Sequence, residues 1–202
     1  RCFPVHGPET LLVAEARDVL GPDGDVHTPY GATEALPVSS VSGREILALR
    51  ERIEGGEGNC VGRPAPGIEL RLVRIGDAPI DAMRDELAVP PGEPGEVCVR
   101  GAVVTREYAE DPAATRAAKI PSDSADRPGH RMGDVGRGDD DGRLWFLGRK
   151  AHRLETAAGL VMPVPLENAF RRHPAVARCA VVGVGERGAE RPALVVEGRG
   201  GA

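Results

Sequence analysis

The residues best equipped for chemistry fall in one stretch, His27-Thr28-Pro29-Tyr30-Gly31-Ala32-Thr33-Glu34, which sets an aromatic ring, a hydroxyl and a carboxylate within five positions. That grouping suits a nucleotide. Tyr30 can offer a flat face to a base, Gly31 lets the backbone come close, the Thr33 hydroxyl can reach a phosphate oxygen, and the Glu34 carboxylate can hold a hard cation such as magnesium. A tight turn after a strand would use the same residue types for its own hydrogen bonds, so the pentapeptide alone leaves both uses open. A second acidic group, Asp139-Asp140-Asp141-Gly142, invites a calcium loop but fails on spacing. Lys150 stands where the closing glutamate of such a loop would have to be. A hairpin turn before an apolar strand at 144–147 is expected there instead.

Three further motifs follow in order: Gly95-Glu96-Val97-Cys98-Val99-Arg100-Gly101, Met132-Gly133-Asp134 and Gly148-Arg149-Lys150. With Tyr30 to Glu34 at their head, they make the chain resemble the acyl-adenylate-forming superfamily of acyl-CoA synthetases, peptide-synthetase adenylation domains and luciferases. The phrases at 27–37, 42–47, 76–80, 118–121 and 130–136 are most similar to its β-lactone synthetase branch from bacterial long-chain olefin biosynthesis. The resemblance implies ATP and Mg²⁺ as cofactors. Tyr30 would stack on adenine, Thr33 would contact the α-phosphate and Glu34 would coordinate the metal. Asp134 would take the ribose hydroxyls, and Arg149 would hold ribose or phosphate. Taken singly, Asp134 could merely cap a turn and Arg149 could be a solvated hinge charge. The implied substrate is a small acyl molecule, a long-chain β-hydroxy acid or a fatty acid, and the implied partners are other enzymes of the olefin pathway. A fatty-acyl-CoA ligase, or a non-catalytic β-rich module keeping a vestigial site, are the alternatives. Met132 departs from the family's threonine and His152 from its hinge Asp or Lys. The family's phosphate loop and C-terminal lysine have no counterpart in these residues, so a middle portion of such an enzyme is expected.

The elements that must position these groups can be read from periodicity and punctuation. A helix at 10–20 is expected to turn Leu12, Ala16, Val19 and Leu20 inward and to stop at Gly21-Pro22. Ala35 to Val38 could wall an acyl pocket or pack in the core. Ser42 and Glu45 read as a capping box for a helix ending at Gly55-Gly56. From Gly62 the pattern alternates, with Ile68, Leu70 and Leu72 set against Glu69 and Arg71. Asp111 and Pro112 cap a helix at 113–119. A later helix at 164–172 should bury Leu166, Ala169 and Phe170, and Val-rich strands follow at 180–184 and 193–197. The expected fold class is α/β (mixed). Residues 1–147 would be the end of a large N-terminal domain with a β-barrel-like subdomain at 62–147, 148–153 a hinge, and 154–202 the start of a small α+β domain.

Composition sets bounds on this. Hydrophobic residues make up 41% and aromatics only 3%, so Tyr30, Tyr108 and Trp145 stand out, as do Lys119 and Lys150, the only two lysines. A net charge of −5 offers no basic footprint for nucleic acid. No apolar run approaches the ~18 residues of a membrane span. The four cysteines lack metal-ligand spacing, which points to free cytosolic thiols and a cytoplasmic location.

Overall fold

A computed structural model describes residues 10–122 and 127–200. Its centre is an antiparallel sheet, and the protein is mixed α/β as expected. In chain order come helix α1 (Thr10–Leu20), strands β1 (His27–Ala32) and β2 (Ala35–Ser42), the short helices α2 (Gly43–Ala48) and α3 (Arg50–Arg52), and a π-helical turn at Ile53–Glu57. Strands β3 (Asn59–Pro64), β4 (Glu69–Val73) and β5 (Gly95–Arg100) precede α4 (Pro112–Ala118), β6 (Lys119–Ile120), β7 (Gly129–Gly138) and β8 (Leu144–Arg149). The sheet runs β1-β2-β3-β8-β7-β5-β4, with β6 added beside β7. It therefore begins at His27 rather than at Gly62, and it is open, with β1 and β4 at its two ends. The alternating pattern reports which strands are half-buried. It does not report that the hairpin carrying Tyr30 joins them through the β2–β3 pairing of Ser39 and Ser40 with Pro64 and Arg63.

Both faces of the sheet are covered, and the period of two sends neighbouring residues to different cores. Val97, Val99, Leu144 and Phe146 pack with Tyr30, Ala35, Val38 and Met132. Cys98 instead meets Val73 and Ile120, and Trp145 meets Val13, Val41 and Ile46. Ala35 and Val38 are thus core residues, whereas Leu36 is exposed. The Asp139 hairpin forms as expected: one carboxylate oxygen accepts from the backbone N–H of Asp141 and of Arg143, and the other from Trp145 Nε1 at 2.9 Å. Ser42 caps α2 by accepting from Glu45 N–H at 3.1 Å, but Glu45 turns to Arg63 instead of closing the box. Asp111 caps α4 as read, accepting from Ala114 N–H.

Beyond β8 lie a 3-10 turn (Lys150–His152), β9 (Leu154–Thr156), β10 (Gly159–Val161), α5 (Pro163–Arg171), β11 (Val176–Val184) and β12 (Arg191–Gly198). Two helix faces differ from expectation. On α1 Val13 is buried while Leu12 and Val19 are 61% and 88% exposed; on α5 Asn168 is buried while Phe170 is 44% exposed. α1 meets the body chiefly through α2, and Asn168 is drawn in by donating to Asn59 Oδ1 at 2.8 Å, so specific contacts override the apolar stripe. Lys150 anchors the start of this segment, donating to Glu96 Oε1 at 3.0 Å and to the Gly76 carbonyl at 2.9 Å. Glu96 is fully buried, and Arg131 grips it with two parallel bonds at 3.0 and 2.7 Å. Two cations on one carboxylate offset its desolvation.

Candidate functional site

β7 and β8 pair Asp134 with Arg149 across the ladder. A bulge between Cys98–Arg131 and Glu96–Val135 pushes residues 132–134 out of register with β5. Gly133 sits inside it at φ 68°, a backbone conformation that glycine adopts most readily. Asp134 is thereby lifted toward the β1–β2 hairpin, where Tyr30 Oη donates to its Oδ2 at 2.6 Å. Arg149 Nη1 lies 3.0 Å from Oδ1 as an ion pair and donates to the Met132 carbonyl at 3.3 Å. Oδ1 is buried with no hydrogen-bond donor. Burial raises the Asp134 carboxyl above the ordinary aspartate range, against the Tyr30 bond and the Arg149 charge that lower it. Burial, followed by the Asp134 charge and hydrogen bond, likewise raises Tyr30 well above a normal phenol.

Three residues expected at a nucleotide site, Tyr30, Asp134 and Arg149, thus come together from positions far apart in sequence. The Tyr30 ring is only 5% exposed and lies 6.2 Å from Phe146, tilted at 46°. Its hydroxyl bond and this packing pull the ring into the core, so no open face is presented in this conformation. Gly31 is required by the hairpin itself, since a Cβ there would collide with the Ala35 carbonyl and the Leu36 side chain.

Thr33, exposed, and Glu34, half-buried, form the hairpin turn next to that trio. Glu34 has its own neighbours. Tyr108 Oη donates to Glu34 Oε1 at 2.7 Å, and Thr105 N–H donates to the Glu34 carbonyl at 2.8 Å. Burial would raise the Glu34 carboxyl, but the Tyr108 hydrogen bond, its own backbone N–H, the charge His130 takes on in the acid range and that of Lys119 together hold it below the usual range. His130 is buried with Nδ1 unpartnered; burial, aided by Lys119, pushes it down to about 4, so it is neutral at neutral pH. Tyr108 belongs to this neighbourhood although no motif marked it, its signal being rarity as one of two tyrosines; Lys119, one of two lysines, falls in the phrase at 118–121 but carried no role there.

The AMP-binding enzyme family model matches residues 8–109, about half of the chain and including the whole Tyr30–Glu34 stretch. The chain belongs to the AMP-binding enzyme family. Within this AMP-binding family, the olefin beta-lactone synthetase of Xanthomonas campestris pv. campestris is 46% identical over 189 residues, 92% of this chain and 34% of that protein. The olefin beta-lactone synthetase of Stenotrophomonas maltophilia matches at the same identity and coverage. The chain therefore spans about a third of the length of these curated relatives. Among solved structures, the amide bond synthetase McbA of Marinactinospora thermotolerans shares the fold with a TM-score of 0.72 at 30% identity, covering 96% of this chain and 35% of that one. The O-succinylbenzoate coenzyme A synthetase of Bacillus subtilis, solved with AMP, matches at TM-score 0.69 and 23% identity over 97% of this chain and 35% of that one, a likeness of fold. Among the described residues of this AMP-binding family member, no helix is long and apolar enough to cross a membrane, and no group of three or more His, Cys, Asp or Glu is placed to hold a metal ion.

Proposed function

We propose that this chain is the nucleotide-gripping part of an ATP-dependent enzyme that activates a fatty-acid-type carboxylate as its acyl adenylate, and that the whole protein turns a long-chain β-hydroxy acid into a β-lactone. The observation that carries this is the 46% identity over 92% of the chain to olefin beta-lactone synthetases. A long-chain-fatty-acid–CoA ligase of Escherichia coli matches at 31% over 77%. In this proposal residues 1–147 end the large domain, 148–153 are the hinge and 154–202 begin the small domain.

The donor set fits a nucleotide at Asp134. Oδ1 is a buried acceptor without a donor, and a ribose hydroxyl supplies one. Tyr30 holds the other oxygen, so the carboxylate is fixed before the nucleotide arrives. Arg149 adds positive charge beside it. A base stacks on Tyr30 only when the ring is uncovered. Glu34, held ionised on the half-buried turn beside Thr33, suits a magnesium ion, which takes one or two protein carboxylates and completes its shell with phosphates and water. One protein carboxylate is therefore enough, and a cluster of acids is not needed. Bound ATP supplies the leaving group, pyrophosphate, when a carboxylate oxygen attacks its α-phosphorus.

The β-hydroxyl of the substrate is tethered beside the activated carbon. Intramolecular attack of this kind reaches effective concentrations of ~10⁵ M in well-oriented cases, part of which is spent on closing a strained ring. The test is to give the complete enzyme ATP, magnesium and a long-chain β-hydroxy acid without coenzyme A. The expected product is the acid less one water, with AMP and pyrophosphate released. Product that appears only with coenzyme A, at the thioester mass, would overturn the lactone assignment.

A further inference from the structure

The segment 101–120 is tied together by bonds that converge on one residue. Val104 is fully buried and pins the loop to the main core. The Tyr108 N–H donates to Thr115 Oγ1 at 2.9 Å, and Thr115 stands on α4, whose start is fixed by Asp111. At the other end of that helix, Lys119 donates to Thr105 Oγ1 at 2.9 Å and places its ammonium 5.7 Å from the Tyr108 ring centroid. The two residues held this way, Thr105 and Tyr108, each make a hydrogen bond to Glu34, one to its backbone and one to its side chain, 74 positions away along the chain for Tyr108.

We propose that Tyr108 is a positioning residue that holds the Glu34 carboxylate in one orientation for a divalent cation, with Thr115 and Lys119 as the struts that hold Tyr108. The inference rests on Glu34 being the cation ligand. A glutamate on a hairpin turn has free rotamers, and fixing it beforehand removes that ordering cost from cation binding. Tyr108 occupies a single oxygen, Oε1, and so leaves the other oxygen of the carboxylate for a cation.

The experiment compares Tyr108→Phe with Glu34→Gln in the complete enzyme, titrating magnesium at fixed ATP. For Tyr108→Phe the half-saturating magnesium concentration should rise about tenfold, the low end of losing one hydrogen bond to a charged group, with the Michaelis constant for the acid unchanged. The magnesium concentration that half-saturates the thermal shift of the ATP-bound enzyme should rise by the same factor, a readout independent of turnover. Thr115→Val keeps the side-chain volume, removes the acceptor that fixes Tyr108, and should shift magnesium activation the same way by less, so the idea stays testable if Tyr108→Phe folds poorly. A Tyr108→Phe enzyme that melts earlier but keeps its magnesium constant in both turnover and thermal shift would make Tyr108 a packing residue. In that case Glu34→Gln would still abolish the magnesium response and the cation assignment would stand. A Glu34→Gln enzyme with an intact magnesium response would sink that assignment itself.

Discussion

Asp134 and Glu34 are each held by a tyrosine hydroxyl, at 2.6 Å from Tyr30 and 2.7 Å from Tyr108, yet their surroundings drive their carboxyls in opposite directions. Asp134 is 3% exposed, and burial outweighs the tyrosine bond and a nearby arginine, so its carboxyl is raised. Glu34 sits on a half-exposed turn where the same kind of bond, its own backbone N–H and nearby charges outweigh a smaller desolvation, so its carboxyl is lowered. A hydrogen bond of given length does not set an acid's strength; the water lost around it decides. In the proposed function this becomes a division of labour: the buried acid is a fixed acceptor for hydroxyls and the turn acid a ready anion for a cation.

Several changes would break or sharpen this contrast. The largest effect is expected from Asp134→Ala in the complete enzyme, which deletes charge-assisted bonds worth about 1.5–3 kcal/mol each and should raise the Michaelis constant for ATP by about ten- to a hundredfold with the fold intact. An unchanged constant would remove ribose from the Asp134 account. Next, Tyr30→Phe deletes a buried bond to the same carboxylate and should cost about 1–3 kcal/mol in urea unfolding, whereas Tyr108→Phe, at a more exposed bond, should cost less. Equal losses at the two sites would mean that burial does not separate them.

The smallest effects concern pH, and they have opposite sign. The native Asp134 keeps a proton that the unfolded chain has already released, so its contribution is present below about pH 4 and is lost as pH rises from there through its raised native value. Glu34 contributes above about pH 4.3, and that is lost as pH falls through its lowered native value. Melting temperatures followed from about pH 3 to about pH 8 should show Asp134→Asn removing a decline that sets in as pH rises from about 4, and Glu34→Gln removing one that sets in as pH falls below about 4.3. Parallel profiles for the two variants would erase the contrast.

Much of the site was legible as residue types in order. Tyr30, Asp134 and Arg149 were named from motifs, and they meet in space because antiparallel pairing places β8 beside both β3 and β7. The turn at Asp139, the caps at Ser42 and Asp111 and the strands around Val97 and Leu144 follow from local rules, since a cap or a two-residue period is satisfied within a few positions. The inward faces of α1 and α5 differ from their apolar stripes because a stripe says that a helix can bury one side, not which neighbour is there to cover it. The Tyr108 bond to Glu34 was invisible for the same reason, its two ends being 74 positions apart.

The sequence by itself therefore determined the family, the order of its motifs and the side chains available for chemistry, because those are properties of residue identity and spacing. Only the tertiary structure decided which carboxylate lost its water and which kept it, that Tyr30 turns its ring inward, and that a rare tyrosine and a rare lysine brace Glu34. Desolvation and long-range hydrogen bonds depend on what the fold packs around a group, and no pattern along the chain encodes that.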